Sequence, residues 1–348
     1  MHFVKSLKKT TEGFLGCTLE QVMLSLPSSF DTELQLDIKK CVEKCGIKVA
    51  DILLDSVSAL SFYSSDISGY KSVAVVEVGG FHSRVTKFHV RDGLFIADKY
   101  QKGSLTGKKI DSLLFNFAKT EAERKLRLGN VENKRALRKL SVQCLVVKHS
   151  LSSCTTSTLS IEAFHEGVDF FSSVPRTRFE NIAQYAISSF VNETVEFCGE
   201  VDAVILVGGS CRIPMVINSF KSKFSKVFCE IDPNEVVAKG AMIELSVRES
   251  NKVEHSEQTL ALTKPISVVS GKSTLLTVDS LTLCPFSKTI QVSDSNELYV
   301  MENDLQLALI EMDDKTIPVV VELLTDNEGT LEIIATNAKQ VLKAFIKH

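Results

Sequence analysis

The sequence predicts an α/β domain with a mixed sheet, followed by a small all-β module. Three observations support this fold class: apolar strands alternate with amphipathic helices up to about residue 250, an Asp-Gly turn marks an antiparallel hairpin, and short alternating runs fill the chain after Pro265. We place the first domain at residues 1–250, a linker at 251–264 and the all-β module at 265–348. The linker prediction rests on the polar, unpatterned stretch NKVEHSEQT.

The amino-terminal part predicts a helix and then a strand, helix and strand. The opening MHFVKSLKKTTEGF has apolar residues at helical spacing without a continuous apolar run, so we expect neither a signal peptide nor a membrane anchor. The next segments are VMLSLP (22–27), TELQLDIKKCVEKCG (32–46) and VADILLD (49–55). This strand, helix and strand series predicts a right-handed parallel crossover.

A buried strand and a hairpin follow. SVAVVEVGG (72–80) is apolar throughout, and the next run alternates around Asp92-Gly93, which predicts an antiparallel hairpin. Two helical patterns, 107–127 and 131–148, are rich in Lys and Arg. Their basic residues could touch RNA phosphates, but the interleaved acidic residues favour a solvated face.

The rest of the first domain predicts a second hairpin and three helices. The segment 157–174 alternates like a hairpin or a pair of strands, and a helix covers 176–197. VILVGGSCRIP (204–214) predicts a strand, a glycine turn and the start of a helix near Arg212. The last helix is expected from Asp232 to Val247, with an aspartate cap followed by a proline.

The all-β module is predicted from six short runs: ISVVSG, STLLTVDSL, SKTIQVS, ELYVME, IPVVVELL and GTLEIIATN. The chain is expected to end at His348 in a strand-like or frayed tail. We expect no helical lid over this module. Its strand edges could take a partner strand, although ordinary pairing within the module accounts for most of them.

Composition restricts the class of function. The chain has 348 residues, 44% hydrophobic side chains and a net charge of −3, which argues against a protein that coats nucleic acid or an anionic membrane. We therefore expect no membrane contact and no direct DNA binding. Nine cysteines without a C-x-x-C pair predict reduced thiols and a cytoplasmic location. Cys41 and Cys45 share a helical face, but buried small side chains are expected here rather than metal ligands.

Two glycine turns end apolar strands. Gly208-Gly209 would let backbone amides approach a ligand closely, and the following helix would point its positive end at the same spot. A tight strand-to-helix turn with no ligand is an equally good interpretation of this pair alone. A second turn, EVGG (77–80), favours a nucleotide, because two such turns could face each other across a cleft.

VDAVILVGGSCRIP and the following DPNEVVAKGA resemble the adenosine-binding portion of the seventy-kilodalton heat-shock chaperones. The resemblance extends over almost the whole chain, including VEVGGFHSRVTKFHVRDGLF and the final VVVELLTDNEGTLEIIATN. It implies an actin-like nucleotide-binding fold, incomplete at the amino terminus, and a truncated β-sandwich that is similar to the family's substrate-binding domain.

The family resemblance also implies ATP as a cofactor. Three positions depart from the family pattern: His149 stands for an arginine, Leu145 for a glutamate and Asn234 for an acidic residue, which would weaken binding by about 1 kcal/mol for each lost hydrogen bond. The implied ATP-binding residues are Gly79, Gly80, Lys148, His149, Ser152, Gly208, Gly209, Ser210, Arg212, Ile213 and Asn234.

The implied phosphate side departs further from the family. Phe81 and His82 stand where the family has a glycine and a threonine, and would fill space meant for phosphate and metal-bound water. Asp55 replaces a longer acidic residue, and Lys108-Lys109 replaces Glu-Asp. The family's first phosphate loop and catalytic lysine have no counterpart. We therefore expect no catalytic residue, no metal site and no ATP hydrolysis.

Within the family, the altered loop and short β module resemble the atypical Ssz-type subunit of the ribosome-associated complex. That resemblance implies a zuotin-like J-domain protein as partner, indirect contact with the ribosome and stimulation of a partner heat-shock chaperone. The alternative is an ATP-dependent heat-shock chaperone present as a fragment. A nucleotide-exchange or holdase relative of the larger heat-shock proteins is a third possibility, but the acidic insertion and long lid helices expected of it are missing.

Overall fold

A computed structural model describes residues 2–346 except 28, 29, 31, 92, 93, 252–263, 272, 280, 281, 283, 285, 294–296, 304, 312–316 and 327–329. The chain divides into two compact units, residues 1–254 and 255–348. The Asp92-Gly93 turn and nearly all of the predicted linker lie outside the described residues. Their assignments, and the roles given to the two domains, remain predictions.

The first unit combines helices and strands in the alternating order that the sequence predicts. Its helices are α1 His2–Leu15, α2 Thr32–Glu43, α3 Asp55–Phe62, α4 Gly107–Lys125, α5 Lys134–Ser153, α6 Arg176–Cys198, α7 Pro214–Lys221 and α8 Val236–Asn251. Its strands are β1 Gln21–Leu26, β2 Lys48–Leu54, β3 Ser72–Val78, β4 Ser83–Arg91, β5 Leu94–Lys102, β6 Thr156–His165, β7 Val168–Pro175, β8 Ala203–Val207 and β9 Val227–Phe228. A short 3-10 turn, Gly209–Arg212, connects β8 to α7.

A five-stranded mixed sheet forms the centre of this unit, in the order β5-β4-β3-β8-β9. β3 pairs with β8 in parallel and with β4 antiparallel, so the carboxyl ends of β3 and β8 lie at the same edge. The predicted hairpins are present as β4-β5 and β6-β7. β1 and β2 form a parallel pair with α2 between them in the chain, which confirms the predicted parallel pairing, while its right-handed sense stays a prediction.

The central sheet is covered on both faces, which explains why β3 is apolar throughout. On one face, Ala74 and Val76 pack into a large apolar cluster with side chains of α4, α5 and α6. On the other face, Val73 and Val75 pack with side chains of α3 and α8. This packing holds α4, α5 and α6 on one face of the sheet and α3 and α8 on the other.

Gly240 lets α8 lie directly against α3. A Cβ atom at Gly240 would lie 1.7 Å from the carbonyl oxygen of Ser58, so only glycine allows this backbone approach. Asp55 is the first residue of α3, and Pro233 and Asn234 lie in the turn that precedes α8.

Two predicted helix starts need correction, and the same two helices end later than predicted, α5 at Ser153 rather than at residue 148 and α8 at Asn251 rather than at Val247. The helix expected from Asp232 begins at Val236, because Asp232–Glu235 form a turn in which Asp232 Oδ1 accepts the Asn234 N–H at 3.0 Å. The helix expected from residue 131 begins at Lys134, because Asn133 Oδ1 accepts two N–H groups of the first turn. Cys41 and Cys45 are half-buried rather than buried.

The second unit is all-β. Its strands are β10 Ile266–Ser270, β11 Ser273–Val278, β12 Ser287–Val292, β13 Leu298–Glu302, β14 Leu305–Ile310, β15 Val319–Thr325, β16 Leu331–Thr336 and β17 Val341–Ile346. They form two four-stranded sheets, β11-β10-β13-β14 and β12-β15-β16-β17, which share one apolar core. Strand β14 was not predicted, because LQLALI has apolar residues on both faces and lacks clean alternation. Strand β17 agrees with the strand-like end that the sequence predicts.

None of the described helices combines the length and the apolar character needed to span a membrane.

Candidate functional site

A cleft of about 1270 Å³ opens in the first unit, at the carboxyl ends of β3 and β8. Helices α4 and α5 form one wall, and the turn before α8 closes another side. Ligands commonly bind at this edge of a parallel strand pair. All of the predicted ATP-binding residues except Arg212 line the cleft: Gly79, Gly80, Lys148, His149, Ser152, Gly208, Gly209, Ser210, Ile213 and Asn234.

The first glycine turn needs its glycines. Gly208 has φ +93°, and a Cβ atom there would lie 2.6 Å from the Val78 carbonyl oxygen. Its N–H donates to the Pro233 carbonyl at 3.0 Å. A Cβ atom at Gly209 would lie 2.9 Å from Asn234 Oδ1. The bare backbone therefore allows β8 and the turn before α8 to approach each other at the cleft.

The two glycine turns touch rather than face each other across a gap. Ser210 Oγ donates to the Gly79 carbonyl at 3.2 Å. The first turn of α4 joins them, because the N–H groups of Gly107 and Lys108 donate to the carbonyls of Gly79 and Gly80 at 2.9 and 2.7 Å. A Cβ atom at Gly107 would lie 2.8 Å from Ser210 Oγ. This convergence of three segments forms the floor of the cleft.

Helix α5 presents Lys148, His149 and Ser152 to the cleft. The Lys148 side chain is only 10% exposed, and its Nζ lies 2.8 Å from Asp111 Oδ1 of α4. Asp111 was not predicted as a site residue. It carries no local signal in the sequence, because its pairing depends on how α4 and α5 pack.

Arg212 is the one predicted binding residue that does not line the cleft. Its guanidinium forms a two-point ion pair with Asp232, in which Nε donates to Oδ1 at 2.9 Å and the terminal nitrogen contacts Oδ2. The pair lowers the pKa of Asp232, since the charged form accepts these hydrogen bonds. The acidic partner therefore holds this side chain outside the cleft lining.

Two carboxyl groups lie at the other end of the cleft. Glu77, on β3, is 5% exposed, and its Oε1 has no hydrogen-bond partner within the described residues. Burial, with a smaller contribution from the nearby Asp55 charge, raises the pKa of Glu77 to about 7. Asp55 Oδ1 accepts a hydrogen bond from Ser25 Oγ at 2.8 Å, and burial also raises the pKa of Asp55.

The residues Phe81 and His82 follow Gly80 at this end. Both line the cleft, yet Phe81 is 82% exposed and its ring lies 5.5 Å from Lys108 Nζ. His82 is also exposed. Its carbonyl accepts the Gly79 N–H at 2.9 Å, which closes a tight turn. The part of the chain that the structure describes contains no group of three or more His, Cys, Asp or Glu residues placed to hold a metal ion.

Comparison with known proteins identifies the family. The family model described as Hsp70 protein matches residues 1–318. The chain belongs to the Hsp70 family. Hsp70 proteins bind ATP, and the mixed sheet of the first unit fits their actin-like ATPase fold. The family thus agrees with the resemblance seen in the sequence.

Three Hsp70 relatives illustrate the extent of the similarity. "Heat shock 70 kDa protein" of Emericella nidulans is 29% identical over 75% of this chain and 43% of its own length. "Heat shock cognate 70 kDa protein 3" of Dictyostelium discoideum is 27% identical over 82% of this chain and 48% of its own length. "Ribosome-associated complex subunit SSZ1" of Saccharomyces cerevisiae is 26% identical over 76% of this chain and 54% of its own length. The chain spans about half the length of these curated Hsp70 relatives.

Proposed function

We propose that the chain is an Hsp70-type co-chaperone subunit whose cleft binds an adenine nucleotide without hydrolysing it. The observation that carries this proposal is the contrast between the two ends of the cleft. One end combines a glycine turn with polar side chains of α5, and the other combines the altered turn Gly79–His82 with the buried carboxyl group of Glu77 and the half-buried one of Asp55.

The residues at the first end fit an adenosine group. Gly208 and Gly209 keep the strand end free of side chains, and Ser210 and Ser152 offer hydroxyl groups. Ile213 supplies apolar surface for a purine. When bound, ATP supplies a purine for this end and an anionic phosphate tail for the other. The other candidate residues from the sequence, Gly79, Gly80, Lys148, His149 and Asn234, would border the ligand between these ends.

The second end supports binding without turnover. Phosphoryl transfer requires a metal ion, a water molecule and the γ-phosphate to be held together. Asp55 is already engaged by Ser25, and Glu77 is protonated in part near neutral pH because burial raises its pKa. Ionised oxygen ligands are what magnesium prefers, so these two groups are poorly suited to hold it.

The relative described as a ribosome-associated complex subunit supports the choice of partners. We propose that this chain pairs with a zuotin-like J-domain protein in the cytoplasm, contacts the ribosome indirectly and stimulates a partner heat-shock chaperone. In this proposal the all-β unit corresponds to the family's substrate-binding domain. The other relatives named as heat-shock 70 kDa proteins support the alternative of an ATP-dependent chaperone.

Calorimetric titration of the purified chain with adenosine and ADP tests the binding site. Ser152→Trp would fill the cleft, whereas Ser153→Trp adds the same side chain at an exposed neighbour that does not line it. We expect Ser152→Trp alone to abolish binding. Equal binding by both variants would contradict the assignment.

Affinity capture from cytosol tests the proposed partners. Recovery of a J-domain protein together with ribosomal proteins supports the co-chaperone role. Recovery of unfolded clients alone, together with ATP turnover, would favour the ATP-dependent chaperone.

A further inference from the structure

Among the residues that the structure describes, the ammonium group of Lys108 lies beside the altered turn Gly79–His82 without a carboxylate partner. Lys108 lines the cleft, and among the described residues its Nζ contacts the Phe81 ring but pairs with no Asp or Glu. Lys148, in contrast, is paired with Asp111 at 2.8 Å. Lys109 donates its Nζ to the Ser104 carbonyl at 3.2 Å and does not line the cleft. Lys108 is therefore available to an anion that enters here.

The backbone N–H groups at the start of α4 are not available to bind an anion. The amino end of a helix often binds phosphate through its first N–H groups. Here the N–H groups of Gly107 and Lys108 donate to carbonyls of the glycine turn, and the Lys109 N–H donates to Thr106 Oγ1 at 3.2 Å. The Lys108 side chain is thus the donor that this end of the helix offers to an anion.

The nearby carboxyl groups make a compensating charge necessary. Asp55 and Glu77 line the same cleft, and any ionised fraction of them repels a phosphate tail. Burial outweighs the opposing effect of Arg84 and raises the pKa of Glu77 to about 7, so a fraction of Glu77 is ionised near neutral pH and repels a phosphate tail. A cation must therefore accompany the phosphates, and it is either a bound metal ion or a side chain.

We propose that Lys108 binds the phosphate tail of an adenine nucleotide and replaces a divalent cation as its counter-charge. The inference rests on the proposed nucleotide site and says which group supplies the positive charge that the bound phosphates need. An ammonium group on a flexible stem binds phosphate as a point charge without fixed geometry. The preferred ligand is then the free nucleotide rather than its magnesium complex.

Titrations with adenosine and ATP, each in EDTA and in magnesium chloride, test this inference. The variants are Lys108→Glu and Lys108→Gln, with Lys109→Glu as the matched control. For the parent chain we expect ATP to bind at least as tightly in EDTA as in magnesium. Lys108→Glu should weaken ATP binding by about tenfold or more and leave adenosine affinity within about twofold, because it reverses one charge beside the phosphates. Lys108→Gln should have an intermediate effect.

The possible outcomes separate the two proposals. Loss of ATP binding in EDTA, or equal affinities of Lys108→Glu and Lys109→Glu, would overturn the role of Lys108 while leaving the adenosine site intact. Failure of the parent chain to bind either ligand would overturn the nucleotide site and this inference with it. Both lysine side chains are exposed, so circular dichroism should show unchanged folding for all three variants.

Discussion

Arg212 and Asp232 form an ion pair at the surface, with Arg212 Nε donating to Asp232 Oδ1 at 2.9 Å. Their side chains are 43% and 31% exposed, so solvent screens the pair and it contributes little to folding. Its larger effect is on position, because it directs the guanidinium away from the cleft lining. The sequence resemblance had implied that Arg212 is an ATP-binding residue.

Asp232→Asn should therefore tighten adenosine binding by about two- to tenfold, because the released guanidinium can stack on the purine. The asparagine keeps an acceptor for the Asn234 N–H, so the turn before α8 should remain. Calorimetry measures the change. Asp37→Asn, in an exposed pair with Lys40, is the control. A weakening equal to that of Arg212→Ala would mean that the ion pair instead orients Arg212 for binding.

Glu77 should make stability depend on pH. Its pKa is about 7 in the folded chain and 4.5 ordinarily, so the unfolded chain releases this proton more readily. The folded state should therefore lose stability as the pH rises from about 4.5 to about 7, by up to about 3 kcal/mol. Burial also raises the pKa of Asp55, so Asp55 likewise makes the folded state less stable as the pH rises.

Glu77→Gln removes this titration. In urea unfolding, the variant should match the parent at pH 4 and exceed its stability at pH 8. Glu235→Gln, in an exposed pair with Lys239, should leave the pH dependence unchanged. Identical pH profiles for the parent and Glu77→Gln would show that Glu77 is not destabilised by burial.

Gly240→Ala should destabilise the first unit by about 3 kcal/mol or more, because its Cβ atom would overlap the Ser58 carbonyl oxygen at 1.7 Å. The gain in helix propensity, about 1 kcal/mol, cannot offset this overlap. Gly13→Ala is the matched control, since α1 leaves open space there and only the propensity gain applies. Thermal denaturation measures both variants. A Gly240→Ala chain as stable as Gly13→Ala would contradict the close packing of α3 on α8.

The elements of the fold were largely predictable from local patterns. The apolar run at 72–78, the hairpins and the amphipathic helices follow from periodicity, which depends on neighbours in the sequence. The exact start of α8 was not predictable, because Asp232 caps a turn rather than the helix itself. Strand β14 was missed because its apolar residues fall on both faces.

The site was predictable only where residues act through the backbone. Gly208 and Gly209 could be recognised, because a glycine pair after an apolar strand signals a tight turn or close approach. The pairs Lys148–Asp111 and Arg212–Asp232 join residues 37 and 20 positions apart, so only the tertiary packing reveals them. The burial that raises the pKa of Glu77 likewise depends on the sheet and its covering helices.

ATP labelled on the γ-phosphate can be followed through binding and release by the purified chain. This measurement tests directly whether the cleft binds nucleotide without hydrolysing it. We expect the nucleotide to be retained as the triphosphate, with lower retention by Ser152→Trp and unchanged retention by Ser153→Trp. Phosphate release that exceeds background and disappears in Ser152→Trp would contradict it, because the cleft would then hydrolyse the nucleotide that it binds.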